Sequence, residues 1–253
     1  MRLLRLPFVA AAATAFALAG CGRLAAPLYD ERRAPVPRGP LEAPRSLEPK
    51  LPAGALVAYA RPSVSRVPAF RNPWRERPFA VFENPDQYLT RRVFLVKDVG
   101  DERIEAYLPM RPNGVTGWLR ADDVVLRRTD YRITVDLTRN VLATWDGDRR
   151  IMRETVAAGT GGTPTPTGLF YTTIEYRTQN PAGAYGPYIV ALSAYSEVLF
   201  SFAGGDGLVG LHGTNNPSLL GGDVSHGCIR MRNEAITKIV RTLPLGTPVR
   251  ITA

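Results

Sequence analysis

Three side chains could do chemistry together: His212, His226 and Cys228. The 253-residue chain holds two histidines and two cysteines, and both histidines and one cysteine fall within LHGTNNPSLLGGDVSHGC, residues 211–228. A free thiol, with a pKa of about 8.5, is mostly protonated at neutral pH and needs a base or a cation nearby to act as a nucleophile. Imidazole, titrating near about 6.5, is the usual choice. The same residues could form a zinc set, or be a buried cysteine with two structural histidines. Against zinc, His226 and Cys228 sit two apart on an incoming strand and no fourth ligand cluster is evident. Against the inert reading, loops rich in Gly, Asn and Ser usually present residues at a surface.

The elements that must position these groups are strands. GLVGLHG reads as a strand ending at His212, CIRM as a strand beginning at Cys228, and the residues between them are loop chemistry. On an extended backbone, residues i and i+2 share a face about 6.5–7 Å apart. His226 is therefore poorly placed to align with the Cys228 sulfur, whereas His212 arrives from a different strand and can face it. Arg230 is placed by the same alternation on the face of Cys228.

The surrounding sequence is β-rich. RITVDLT alternates Ile133, Val135 and Leu137 against polar residues, as a half-buried strand does. Turn signals at Arg139-Asn140 and Asp146-Gly147 continue a meander through VLATW and RIMRETVAAG, and TPTPTG holds the backbone extended before LFYTTIEY. Asn233 can cap a helix from Glu234 to about Leu243, with Ile236, Ile239, Val240 and Leu243 on one face. Ahead of this, residues 51–128 carry short β runs (FAVFE, RRVFLVKD, RIEAYLPM) and a strong turn at Asn113-Gly114. TGWLRADDV there resembles the closing part of bacterial SH3-like domains, which implies a small SH3-like β-barrel, either a wall-binding module or an appendage of the next domain.

The N-terminus bears on the compartment. Arg2 and Arg5 precede an apolar stretch too short to span a membrane stably, and Leu18-Ala19-Gly20-Cys21 resembles a bacterial lipobox. That resemblance implies a signal peptide over residues 1–20, lipidation of Cys21 and export to the outer face of the cytoplasmic membrane or the periplasm, with a membrane anchor. Cys228 would then be a lone extracytoplasmic thiol. Residues 21–50 include Pro27, Pro35, Pro37, Pro40, Pro44 and Pro49 and read as a disordered tether. Net charge is +9, but the arginines are scattered without a basic arm, so no nucleic-acid partner is expected.

HGTNNPSLLGGDVSHGCIRMRN resembles the signature of the YkuD-type L,D-transpeptidase catalytic domain, and the likeness extends to TPTPTG, GPYIVALSAY and RITVDLTRNVL. The resemblance implies a mainly β, β-sandwich-like catalytic domain over residues 129–253 with one clear C-terminal helix. It implies a cysteine enzyme of peptidoglycan stem peptides, releasing D-alanine and forming 3→3 cross-links, with a bearing on cell shape. Water in place of the acceptor amine would make it an L,D-carboxypeptidase, and a non-catalytic wall-binding lipoprotein is the competing class. Carried over, Cys228 is the nucleophile and His212 the base, oriented by the Gly213 backbone carbonyl. Ser225, His226, Gly227 and Arg230 become substrate-binding or oxyanion residues. No cofactor or metal is expected, and a monomer is. Where relatives commonly have Asp, this chain has Ala235, with Glu234 able to supply much of the same helix-dipole effect.

Overall fold

The computed structural model describes residues 51, 54–201 and 205–253. The expected signal peptide and tether, and Cys21, lie outside the described residues. The molecule is mainly β, with one α-helix among the described residues.

The first part contains β1 (Ala55–Ala60), β2 (Arg66–Ala69), β3 (Ala80–Glu83), β4 (Val93–Val99), β5 (Arg103–Tyr107), β6 (Thr116–Arg120) and β7 (Val124–Thr129). Five of them form an antiparallel sheet in the order β6-β5-β4-β1-β7, and β2 and β3 form a separate ribbon. An isolated bridge from Phe70 to Trp118 ties the ribbon to β6. Alternation along β1, β4 and β5 sends Ala58, Phe94, Ile104 and Ala106 into the core of this part. Gly114, at φ 81°, completes the turn expected at Asn113-Gly114.

The second part contains β8 (Tyr131–Asp136), β9 (Val141–Asp146), β10 (Arg149–Thr155), β11 (Ala158–Gly159), β12 (Gly168–Arg177), β13 (Tyr188–Tyr195), β14 (Leu208–His212), β15 (Asp223–Ser225), β16 (Ile229–Arg230) and β17 (Pro248–Thr252). Eight of these line up as β10-β9-β8-β17-β12-β13-β14-β16. β12 is the corner. Its residues 168–171 pair with β17 and its later residues pair with β13, with a register shift between Thr172 and Ile174. A strand that changes partner at such an irregularity lets one sheet fold over on itself around a common core. That core collects Ile133, Leu142, Leu192, Leu211, Ile229 and Val249 from both halves.

Helix α1 spans Asn233–Thr242 and buries Ala235, Ile236 and Ile239. Each fully buried isoleucine contributes about 1.5–3 kcal/mol of apolar transfer, which fixes the helix on the sheet. The capping position is Arg232, and no side chain caps the helix. Asn233 was the expected cap; its side chain instead accepts a hydrogen bond from the Thr214 amide at 2.9 Å.

Pro49–Ala253 is one compact unit. Tyr171 is fully buried with Val57, Val93 and Leu95 of the first sheet, and its hydroxyl donates to the Tyr107 carbonyl at 3.0 Å. The Tyr59 hydroxyl donates to the Leu245 carbonyl at 2.6 Å. Asn113 donates to the Tyr195 carbonyl at 2.8 Å and accepts from the Tyr195 amide at 2.9 Å, as a neighbouring strand would.

Candidate active site

β14 and β16 run parallel, with Leu211 opposite Ile229 and His212 opposite Arg230. Strand alternation then divides the residues between two faces. Leu211 and Ile229 go fully into the core. Gly210, His212, Cys228 and Arg230 take the other face and line one cavity of about 440 Å³. The residue facing the Cys228 position is a glycine, so nothing but backbone stands across from the thiol.

His212 is 3 % exposed, and its Nδ1–H donates to the Gly213 carbonyl oxygen at 2.6 Å. A carbonyl can only accept, so the proton belongs on Nδ1 and the lone pair on Nε2. The Tyr185 ring lies 4.9 Å from the imidazole, tilted at 59°. Burial pushes the His212 pKa down to about 4, with Arg230 acting in the same direction and the Gly213 hydrogen bond opposing them. Cys228 is a free, half-buried thiol. Burial raises its pKa, while a backbone hydrogen bond at Gly210 and the Arg230 guanidinium pull it down. At neutral pH the pair is therefore a thiol beside a neutral imidazole rather than a preformed ion pair.

The loop that delivers Cys228 is fastened from several sides. The Ser225 hydroxyl donates to the Cys228 carbonyl at 2.5 Å and accepts from the Gly227 amide at 3.1 Å. The Thr165 hydroxyl donates to the Gly227 carbonyl at 2.9 Å. Gly227 has φ 113°, a conformation that side chains rarely adopt. These bonds engage two of the sequence-predicted residues. Ser225 lines the cavity but is 1 % exposed, and its hydroxyl is engaged inside the loop, where it holds the thiol's backbone. The Gly227 amide is likewise committed to Ser225 and is not a spare oxyanion donor.

His226 is exposed at the cavity rim, and Arg230 lies within the cavity. Arg230 makes no ion pair among the described residues, and its buried Nε lacks a hydrogen-bond partner. Among the described residues no structural ion pair therefore holds this guanidinium. Among the described residues, no three His, Cys, Asp or Glu side chains gather as a metal-ligand set.

Sequence reasoning missed Asn233 as a positioning residue. A Cβ on Gly213 would fall 2.2 Å from Asn233 Oδ1, so the turn that carries the His212 acceptor closes directly on that amide. It also missed Tyr185 on the imidazole and Tyr88, a residue of the first sheet's loops that lines the same cavity. No local pattern marks either tyrosine. The Arg230 amide bonded to the Ala157 carbonyl at 2.8 Å and the short parallel pairing of β11 with β15 were equally unmarked.

Residues 130–251 match the YkuD family, the L,D-transpeptidase catalytic domain. The YkuD protein of Bacillus licheniformis is 38 % identical over 122 residues, covering 48 % of this chain and 66 % of its own length. That of Bacillus subtilis is 36 % identical over 121 residues, covering 48 % of this chain and 65 % of its own length. This chain therefore spans less than two thirds of either relative. A solved L,D-transpeptidase from Mycobacterium smegmatis is 14 % identical with a TM-score of 0.39, covering 64 % of this chain and 90 % of that one.

Proposed function

Because residues 130–251 match the L,D-transpeptidase catalytic domain family, we propose that this protein is a cysteine-dependent L,D-transpeptidase of peptidoglycan stem peptides. The observation that carries the reading is the parallel β14–β16 register, which sets the pinned imidazole of His212 and the thiol of Cys228 on one cavity wall.

In the first half-reaction the Cys228 proton passes to His212 Nε2 as the sulfur attacks the amide carbon between the third stem residue and a fourth, D-alanine. The tetrahedral oxyanion needs a donor. The Cys228 amide, which makes no hydrogen bond among the described residues, supplies it. The C–N bond then breaks, His212 returns its proton to the leaving nitrogen, and D-alanine departs from a thioester. In the second half-reaction a side-chain amine of another stem attacks the thioester carbon. His212 takes a proton from that nitrogen and gives it to the departing sulfur, leaving a 3→3 amide and a free thiol. Arg230 is the group for a substrate carboxylate, by its charge and its unpartnered guanidinium, and His226 shapes the rim.

The same proposal puts the protein's action outside the cytoplasm, as a monomer lipid-anchored through Cys21. The support is the lipobox-like LAGC and the wall chemistry of the site. Labelled palmitate entering the wild type but not Cys21→Ala tests the anchor.

Incubation of the full chain with a disaccharide tetrapeptide, followed by mass spectrometry, tests the function. The expected result is D-alanine release and a 3→3 dimer, both absent in Cys228→Ser. Release without dimer makes the protein a carboxypeptidase, and neither product removes the reading.

A further inference from the structure

The cavity that holds Cys228 is not built by the catalytic half alone. Tyr88, from the loop between β3 and β4 in the first part of the chain, lines it together with Tyr176 and Tyr185. The three rings are 49, 42 and 40 % exposed, so each leaves about half its surface to the cleft.

The loop that carries Tyr88 is built to stay in place. Asp86 is 5 % exposed, and its Oδ1 accepts from the amides of Tyr88 and Thr90, both at 2.9 Å. The Asp86 amide donates to the Thr90 carbonyl and the Leu89 amide donates to the Asp86 carbonyl, each at 2.9 Å. Leu89 is held at φ 60° and is 85 % exposed. For a branched residue the left-handed region costs about 1–2 kcal/mol, and such conformations persist where the surroundings over-determine them and cluster at ligand clamps. The Tyr88 hydroxyl itself has no hydrogen-bond partner among the described residues, so the fold gains little from this ring standing where it does.

We propose that Tyr88 is a specificity-determining residue of the transpeptidase, an aromatic wall contributed by the first domain against which the peptide chain of the stem-peptide donor packs. The inference rests on the peptidoglycan reading above. A half-exposed, rigidly presented ring opposite other aromatics suits the flat amides and short aliphatic side chains of an extended peptide, and anchors of this kind carry much of an interface's binding energy. The first domain is then part of the substrate site.

The test measures binding of a free stem tetrapeptide to the full-length Cys228→Ser protein by calorimetry, so that no turnover intervenes. Adding Tyr88→Ala should weaken binding about tenfold, roughly what the loss of one aromatic contact gives. Tyr88→Phe should bind within about twofold of the parent. Trp74→Ala, which removes an 82 % exposed aromatic that does not line the cavity, should match the parent. Thermal midpoints of the variants check the fold. Binding by Tyr88→Ala within twofold of the parent, or equal weakening by Trp74→Ala, overturns the proposal and leaves the peptidoglycan reading standing. A parent protein that does not bind the tetrapeptide overturns both.

Discussion

The His212 imidazole donates from Nδ1 to the carbonyl of its own neighbour, Gly213, at 2.6 Å. No carboxylate is involved. A backbone carbonyl fixes the tautomer as a triad aspartate would, but adds no negative charge to stabilise an imidazolium. Burial then acts without that compensation, which is why the pKa falls to about 4.

Acylation should follow from that geometry. On the proposed function, His212→Ala is expected to lower the rate of Cys228 acylation by a carbapenem by about 10²–10⁴-fold, the usual worth of a positioned general base. His226→Ala should retain measurable acylation. In the wild type, kcat/KM should stay level across neutral pH and fall only on approach to about pH 4, where His212 gains its proton. A midpoint near 6.5 in the pH profile would contradict the assignment.

Stability should show the same histidine. Between its ordinary 6.5 and about 4, the unfolded chain binds a proton that folded His212 does not. Stability is therefore lost as pH falls through that window, by about 3 kcal/mol in all from this residue. His212→Gln should lack this component. Urea unfolding at pH 7 and pH 4 compares the two proteins, and equal acid losses in both would refute the attribution.

Ser225→Ala takes away one donor and one acceptor of the loop that carries Cys228. It should cost about 1–3 kcal/mol, because the Gly227 amide and the Cys228 carbonyl lose their partner. Carbapenem acylation should slow by about tenfold or more, since small misplacements of reacting atoms are costly. Full activity with a lowered thermal midpoint would confine Ser225 to folding.

Gly227→Ala separates strain from crowding. The nearest atom to an added Cβ is the Pro164 carbonyl oxygen at 3.6 Å, so there is room, but φ 113° is hostile to a side chain. Loss of stability of about 1–3 kcal/mol with slowed acylation is expected. Asn233→Ala leaves the Thr214 amide without its acceptor and should slow acylation while α1, which Asn233 does not cap, keeps its circular-dichroism signal.

Residues 49–253 should unfold in one cooperative transition, and Asn113→Ala, which breaks both bonds to Tyr195, should lower its midpoint. Two separated calorimetric transitions in the wild type would count against a shared core.

Much of the site could be read from the chain because its reactive residues are rare. Two histidines and one cysteine in a loop flanked by strand-like runs left few arrangements, and alternation placed Arg230 beside Cys228 before any coordinates. The β character and the single helix were readable from periodicity. What was hidden depends on contacts distant in sequence. Asn233 carries the same signal whether it caps a helix or, as here, accepts from Thr214. β15, at three residues, is too short for a period to show. Tyr88 meets the cavity that holds Cys228 through tertiary packing that no local pattern records.

The placement of β17 has a consequence for synthesis. Pro248–Thr252 lies between β8, its parallel neighbour, and β12, its antiparallel one. Until those residues have been made, β8 and β12 have no shared partner, so the β10-β9-β8 stretch and the β12-β13-β14-β16 stretch of the sheet are not joined. Closure of the sheet across that seam therefore waits on β17.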